Sequence, residues 1–222
     1  WDGLLATYRR MGEDGIARFD YGAVTPDDRS RLDEYLGRLA DVRVTGLARP
    51  EQLAFWLNAY NALTVQIVLA HYPVRSIRDI DISPGWFADG PWGKKLFPVE
   101  GEMLSLDDIE HRILRPIWQS PLIHYGVNCA SLGCPDLPGR AFTAATAEQA
   151  LAEAARADQL QGKAIRYYRE ALDRDPRNLA AIAGEGQALV EKGALEKAKG
   201  SLAKLESLCG ASCPETQTLS AT

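Results

Sequence analysis

The chain has 222 residues, of which 46% are hydrophobic and 25% charged, with 25 Lys+Arg against 30 Asp+Glu. These are the proportions of a globular protein and exclude a wholly disordered, collagen-like or polytopic membrane chain. The net charge of −5 gives no electrostatic support for nucleic-acid binding.

Composition breaks along the chain. Residues 1–157 hold 16 Lys+Arg and 21 Asp+Glu, and residues 158–222 hold nine of each. All five Trp, all five Phe and all three His precede residue 158. We read two units with a seam near residue 157. Residues 1–157 form an α+β unit of mixed helices with a small sheet. Residues 158–222 form an all-α helical segment.

In chain order, Leu4, Leu5, Tyr8 and Met11 fall at helical spacing, which predicts a helix over 4–18. Thr25 before Pro26, Asp27 and Asp28 is a helix start, the hydroxyl capping and the carboxylates facing the positive helix end. That helix runs to about Leu39. The next spans 51–71, with Pro73 as its stop. It is apolar nearly all round, hence buried. Its Asn58 and Asn61 sit three apart on one face, and either tie down loops or line a site. No block reaches the ~18 apolar residues of a membrane span.

Residues 83–101 make a loop rich in Gly, Pro and aromatics, with Trp86, Phe87 and Trp92. Such a loop carries a ligand or caps a core. Residues 95–99 read as a short strand. Ser105 with Asp108 three residues on starts a helix over 106–114, which ends before Pro116. Residues 122–128 read as a strand, with Ile123, Tyr125 and Val127 on one face and His124, Gly126 and Asn128 on the other.

Cys129 follows that strand, with Cys134 five residues on, and Cys209 and Cys213 form a second local pair. Disulfides, free thiols and zinc ligation are all open at both pairs. Disulfides would place the chain in the periplasm or outside the cell, free thiols in the cytoplasm. Cysteine catalysis needs a thiolate, a base and oxyanion donors. Cys129 is the candidate nucleophile and His111, on another element, the base. His124 lies on the strand leading to Cys129, too far along it to be the better base. Asn58 or Glu110 is the candidate orienter, and amides near Ala130, Ser131 and Gly133 the oxyanion hole. His71 reads as an ordinary residue at a helix end.

Three segments together carry a resemblance: Phe-Trp-Leu-Asn-Ala-Tyr-Asn over 55–61, Ser-Leu-Asp-Asp-Ile-Glu-His-Arg-Ile-Leu-Arg-Pro over 105–116, and Ile-His-Tyr-Gly-Val-Asn-Cys-Ala-Ser-Leu-Gly-Cys-Pro over 123–135. In order and spacing they resemble the bacterial "domain of unknown function 547" family over about 4–157. The resemblance marks Asn58, Asn61, Glu110, His111, His124, Cys129 and Cys134 as motif positions. It implies a distant, fold-level likeness to papain-like or transglutaminase-like cysteine hydrolases. The resemblance implies a turn and a strand beyond residue 157; here the chain goes straight into Asp158-Gln-Leu-Gln161, so that last part of the domain is missing or replaced.

Residues 164–176 resemble the second helix of a tetratricopeptide repeat, with Ala164, Tyr168, Ala171 and Pro176 at its small, aromatic, small and terminating positions. Ala198 follows Ala164 by the 34-residue repeat length. Gly186, Gly193 and Leu202 fall where the next repeat has small or apolar residues. Residues 146–158 could supply a first helix.

Three functional expectations follow. The chain is a cysteine-dependent acyl-transfer hydrolase without a cofactor, or it is a non-enzymatic scaffold. The scaffold would hold a protein or peptide partner on its helical repeats, with the first unit acting as a recognition domain. A third is zinc held by His111 or His124 with Cys129 and Cys134.

Overall fold

A computed structural model describes residues 1–12, 16–85, 89–131, 134–157 and 161–222, with side chains at 161–163, 166, 167 and 170 left out. Trp86, Phe87, Gly133 and the junction at Asp158 therefore lie outside the described residues. The chain divides into two compact units, Trp1–Ala147 and Glu148–Thr222.

The first unit opens with helix α1 (Asp2–Tyr8) and a hairpin of β1 (Arg9–Met11) and β2 (Ala17–Phe19). The helix expected over 4–18 thus ends at Tyr8. Leu4, Leu5 and Tyr8 are buried, but Met11 is 57% exposed, so the fourth member of the helical pattern has nothing to pack against. Helix α2 (Pro26–Ala40) begins as expected: the Asp28 N–H donates to Thr25 Oγ1 at 3.2 Å, and Pro26 occupies the first turn.

Helix α3 (Arg49–His71) is the spine of this unit, with sixteen buried residues between Leu53 and Leu69. Its start is fixed by Glu51, whose carboxylate accepts the Ala48 N–H at 2.9 Å. Pro73 restricts Tyr72 to extended backbone and ends it. By length and composition α3 could cross a membrane, contrary to the expectation for any segment of the chain. However, 89% of that window is buried inside the unit, as in the core helix of a globular domain.

A second hairpin, β3 (Phe97–Val99) and β4 (Glu102–Leu104), turns through Glu100 and Gly101 at positive φ. The small sheet is therefore two separate antiparallel hairpins.

The Ser105 start forms a reciprocal box. The Asp108 N–H donates to Ser105 Oγ at 3.1 Å, and the Ser105 N–H donates back to Asp108 Oδ2 at 3.0 Å. The helix does not end before Pro116. It widens into a π-helix over Asp108–Leu114, where the Arg115 N–H bonds Glu110 O five residues back, and continues as α4 (Arg115–Trp118). A proline lacks the N–H and crowds the carbonyl four residues earlier. The wider turn accommodates both, and the helix stops only at Gln119, at φ +48°.

Residues 122–128 are not a strand. Ile123–Gly126 is one helical turn, α5, followed by extended Val127. Leu122, Ile123, Tyr125 and Gly126 are buried while His124 is exposed. That is the i, i+1, i+3, i+4 burial of a helix turn. Over so few residues it also satisfies an alternating pattern at Ile123, Tyr125 and Val127.

Helix α6 (Ala147–Ala157) falls at the start of the second unit, followed by α7 (Gln161–Arg174), α8 (Leu179–Glu191), α9 (Leu195–Cys209) and α10 (Pro214–Ser220). Ile182, Ala183, Leu205 and Leu219 form its core cluster. Small residues set the helix spacing. Gly184 lies against the Tyr168 ring, and Gly186 against Leu219 and Ser201. Gly193, at φ +77°, closes α8, with the Ala194 N–H bonded to Leu189 O at 2.8 Å. The fold class is thus mostly helical, with a mixed first unit and a helical second.

Candidate functional site

The site is built outward from α3. A primary amide carries a donor and an acceptor side by side, as a peptide group does, and can pair with a backbone segment like a strand neighbour. Both buried asparagines do this. Asn61 Nδ2 donates to Gly126 O at 2.8 Å, and Asn61 Oδ1 accepts the Asn128 N–H at 2.8 Å. Asn58 Nδ2 donates to Phe142 O at 2.8 Å, and Asn58 Oδ1 accepts the Phe142 N–H at 2.9 Å. Asn58 and Asn61 therefore tie down loops. Asn58 has the Phe142 backbone as its partner, not a catalytic histidine.

The segment pinned by Asn61 leads into a closed loop. Cys129 and Cys134 form a disulfide, as do Cys209 and Cys213. Asn128 holds the loop from inside: its Nδ2 donates to Pro135 O at 2.8 Å and its Oδ1 accepts the Ala130 N–H at 2.9 Å. The second bond is the local turn that asparagine makes two residues on. It holds Ala130 at φ +55°. The Ala130 amide, expected as an oxyanion donor, is thus engaged by Asn128.

The loop faces the first hairpin across a cleft of about 220 Å³, lined by Phe19, Tyr21, Ser131, Asp136 and Leu137 among others. Asp136 Oδ1 accepts the Ala17 N–H at 3.1 Å, and Arg9 Nε donates to Leu137 O at 2.6 Å. Burial pushes the Tyr21 phenol up to about 12, so it is a neutral hydrogen-bonding group at physiological pH. Asn128, Tyr21 and Asp136 were not singled out from sequence. The one available signal was Asn128 immediately before Cys129, an asparagine in a turn-forming context.

The other expected site residues sit in different surroundings. Glu110 binds Arg115 through Nε at 3.0 Å and Nη2 at 2.5 Å, and its charge acts on the phenol of buried Tyr60. Burial and the Glu110 charge both push the Tyr60 phenol up. Glu110 thus serves this structural network. His111 is exposed, with Nε2 4.0 Å from Asp107 Oδ1, an exposed pair of little energetic weight. Burial holds the Asp107 carboxyl above its ordinary value, against the lowering effect of His111. His124 is exposed and packs edge-on to Tyr125 at 5.3 Å.

The expected zinc set of His111 or His124 with Cys129 and Cys134 is not assembled among the described residues. The one group there with ligand atoms close enough is Cys209, Cys213 and Glu215, and both its sulfurs are joined to each other. A disulfide sulfur is not the thiolate that zinc takes.

Asp108 beside this helix gives a pH test. Burial raises its carboxyl, but hydrogen bonds from Arg112 and Ser105 and the nearby Lys95 ammonium outweigh it and hold it at about 2. The unfolded carboxylate titrates near ~3.9. Its contribution to stability is therefore complete above about pH 4 and lost as pH falls through about 2. Urea unfolding of the parent chain and Asp108→Asn should differ most near neutrality and converge over that interval.

The family described as "Protein of unknown function, DUF547" matches residues 44–157, just over half of the chain. The match takes in the α3 asparagines, the Ser105 helix and the Cys129–Cys134 loop, and leaves the first hairpin outside it. No curated protein and no solved structure matches the chain. On the matched segment, with its order of motifs intact, this chain belongs to the DUF547 family.

Proposed function

We propose that the chain is a non-enzymatic binding protein. The first unit recognises a ligand at the cleft beside the Cys129–Cys134 loop, and the second is a tetratricopeptide-like segment that holds a protein or peptide partner. One observation carries this reading: the sulfur of Cys129, the candidate nucleophile, is bonded to Cys134. A bonded sulfur attacks no carbonyl, and the loop it closes forms one wall of a cleft. The two local disulfides favour an oxidising compartment, periplasmic or extracellular. The helical spacing set by Gly184 and Gly186 against Tyr168 and Leu219 suits stacked helix pairs.

The test is iodoacetamide labelling of the native, unreduced chain across pH, followed by peptide mapping. Cys129 should take no label until a reductant is added. Labelling before reduction, with a thiol pKa clearly below the usual ~8.5, would return the first unit to the hydrolase reading.

A second reading keeps a cysteine acyl-transfer hydrolase of papain-like kind, active only when the disulfide is opened. The specific observation in its favour is that Cys134 itself lines the cleft, so reduction would free thiols at a binding surface. Rapid, low-pKa labelling of Cys129 after dithiol reduction, with hydrolysis of an activated ester lost in Cys129→Ser, would establish it.

A further inference from the structure

We infer that the cleft takes an extended peptide, which adds as a strand to the free edge of β2. This rests on the binding reading above and names the class of ligand.

The backbone directions follow from the register. Arg9 pairs with Phe19, Arg10 with Arg18 and Met11 with Ala17. The Asp20 N–H donates to Tyr8 O at 2.8 Å, and the Gly12 N–H donates to Ile16 O at 3.0 Å. Hydrogen-bonded pairs alternate along an antiparallel ladder. The bonded pairs are therefore Tyr8 with Asp20, Arg10 with Arg18, and Gly12 with Ile16. Ala17 and Phe19 turn their N–H and C=O groups to the opposite edge, away from β1. The Ala17 N–H confirms that direction by donating to Asp136, a residue of the cleft.

Three groups remain on this edge: the carbonyls of Ala17 and Phe19 and the N–H of Phe19. Among the described residues none of them is hydrogen-bonded. Native edges are usually covered, bulged or charged, whereas here Asp136 covers one group and a cleft lies alongside the others. The cleft, at about 220 Å³, is smaller than the roughly 300–1,000 Å³ of pockets that enclose a drug-sized ligand. A ligand therefore lies along it, and a peptide backbone supplies the alternating donors and acceptors that the edge needs. Alternate side chains of that peptide would meet Phe19, Tyr21 and Leu137, and the disulfide-closed loop with Ser131 forms the facing wall.

The probe is a fluorescein-labelled, end-capped hexapeptide of alternating threonine and valine, titrated into the full chain and followed by anisotropy and amide hydrogen exchange. Saturable binding is expected below about 1 mM. Methylating alternate backbone nitrogens of the peptide should weaken it at least about tenfold, since it removes the donors. The peptide should slow exchange at the Phe19 amide at least about tenfold and leave Arg18, already paired to β1, unchanged. Ser131→Trp, at an exposed position on the facing wall, should weaken binding about tenfold without shifting the unfolding midpoint. Three results would overturn the proposal: no saturable binding, binding indifferent to N-methylation without protection at Phe19, or concentration-dependent protection of Phe19 in the free protein. The last would mean that a second copy fills the edge. Thiol labelling of Cys129 tests the underlying reading separately. Failure of the peptide to bind while Cys129 stays unlabelled therefore removes this proposal alone.

Discussion

Asn61→Ala is expected to lower the unfolding free energy of the first unit by about 3 kcal/mol. The asparagine is 1% exposed and pairs at 2.8 Å with both Gly126 O and the Asn128 N–H. Truncation leaves both backbone groups facing an apolar helix with no partner, at about 1–3 kcal/mol each, less what a water can recover. Asn61→Asp should do no better. It keeps an acceptor for Asn128 but sets a carboxylate oxygen against the Gly126 carbonyl. The measurement is clean because all five tryptophans, at positions 1, 56, 86, 92 and 118, lie before residue 148. Tryptophan fluorescence in urea therefore follows the first unit alone. Amide exchange at Asn128 and Ala130 should accelerate before global unfolding, since Asn61 anchors the entry to their loop. A shift under about 1 kcal/mol would show that the clamp is dispensable.

Gly184→Ala is the second large effect, and its sign runs against helix propensity. In the middle of an exposed helix the change would stabilise by up to about 1 kcal/mol. Here an added β-carbon would lie 2.3 Å from Tyr168 Cζ and 2.5 Å from Cε1. Tyr168 is 1% exposed, so its ring has no free direction in which to retreat. We expect the second unit to lose about 3 kcal/mol or more by overpacking. Tyr168→Leu removes the clashing ring atoms. The double variant should therefore be more stable than Gly184→Ala alone, a coupling that a merely local helix effect would not produce. Far-ultraviolet circular dichroism reads the helices of both units, so the destabilised second unit shows as the part of the thermal transition that shifts down while tryptophan fluorescence stays in place.

How legible the fold was depended on the range of the interactions. The α2 start was readable because Thr25, Pro26 and Asp28 act within one turn. The Ser105–Asp108 box was readable for the same reason. Helix α3 was readable because an apolar run of that length, bounded by Pro50 and Pro73, has few other ways to be buried. The hairpin over 9–19 was not. Its strands are three residues each, and Leu4, Leu5 and Tyr8 supplied a helical pattern that Met11 continued only by coincidence. The one-turn helix over Ile123–Gly126 has the sequence pattern of a strand because four residues fit both periods.

The motifs, the helical start and stop signals and the change in composition were present in the order of residues, as were the two cysteine pairs as pairs. Their chemical state and the roles of the polar residues were not, because these depend on partners far along the chain. Asn61 meets Asn128 across 67 positions, Asn58 meets Phe142 across 84, and Ala17 meets Asp136 across 119. His111 and Glu110 occupy motif positions, yet their neighbours are Asp107 and the Tyr60–Arg115 pair. A short-range signal fixes how a segment coils, since its energy comes from residues a turn away. A site fixes which segments meet, and that is set by the packing of the whole unit around α3.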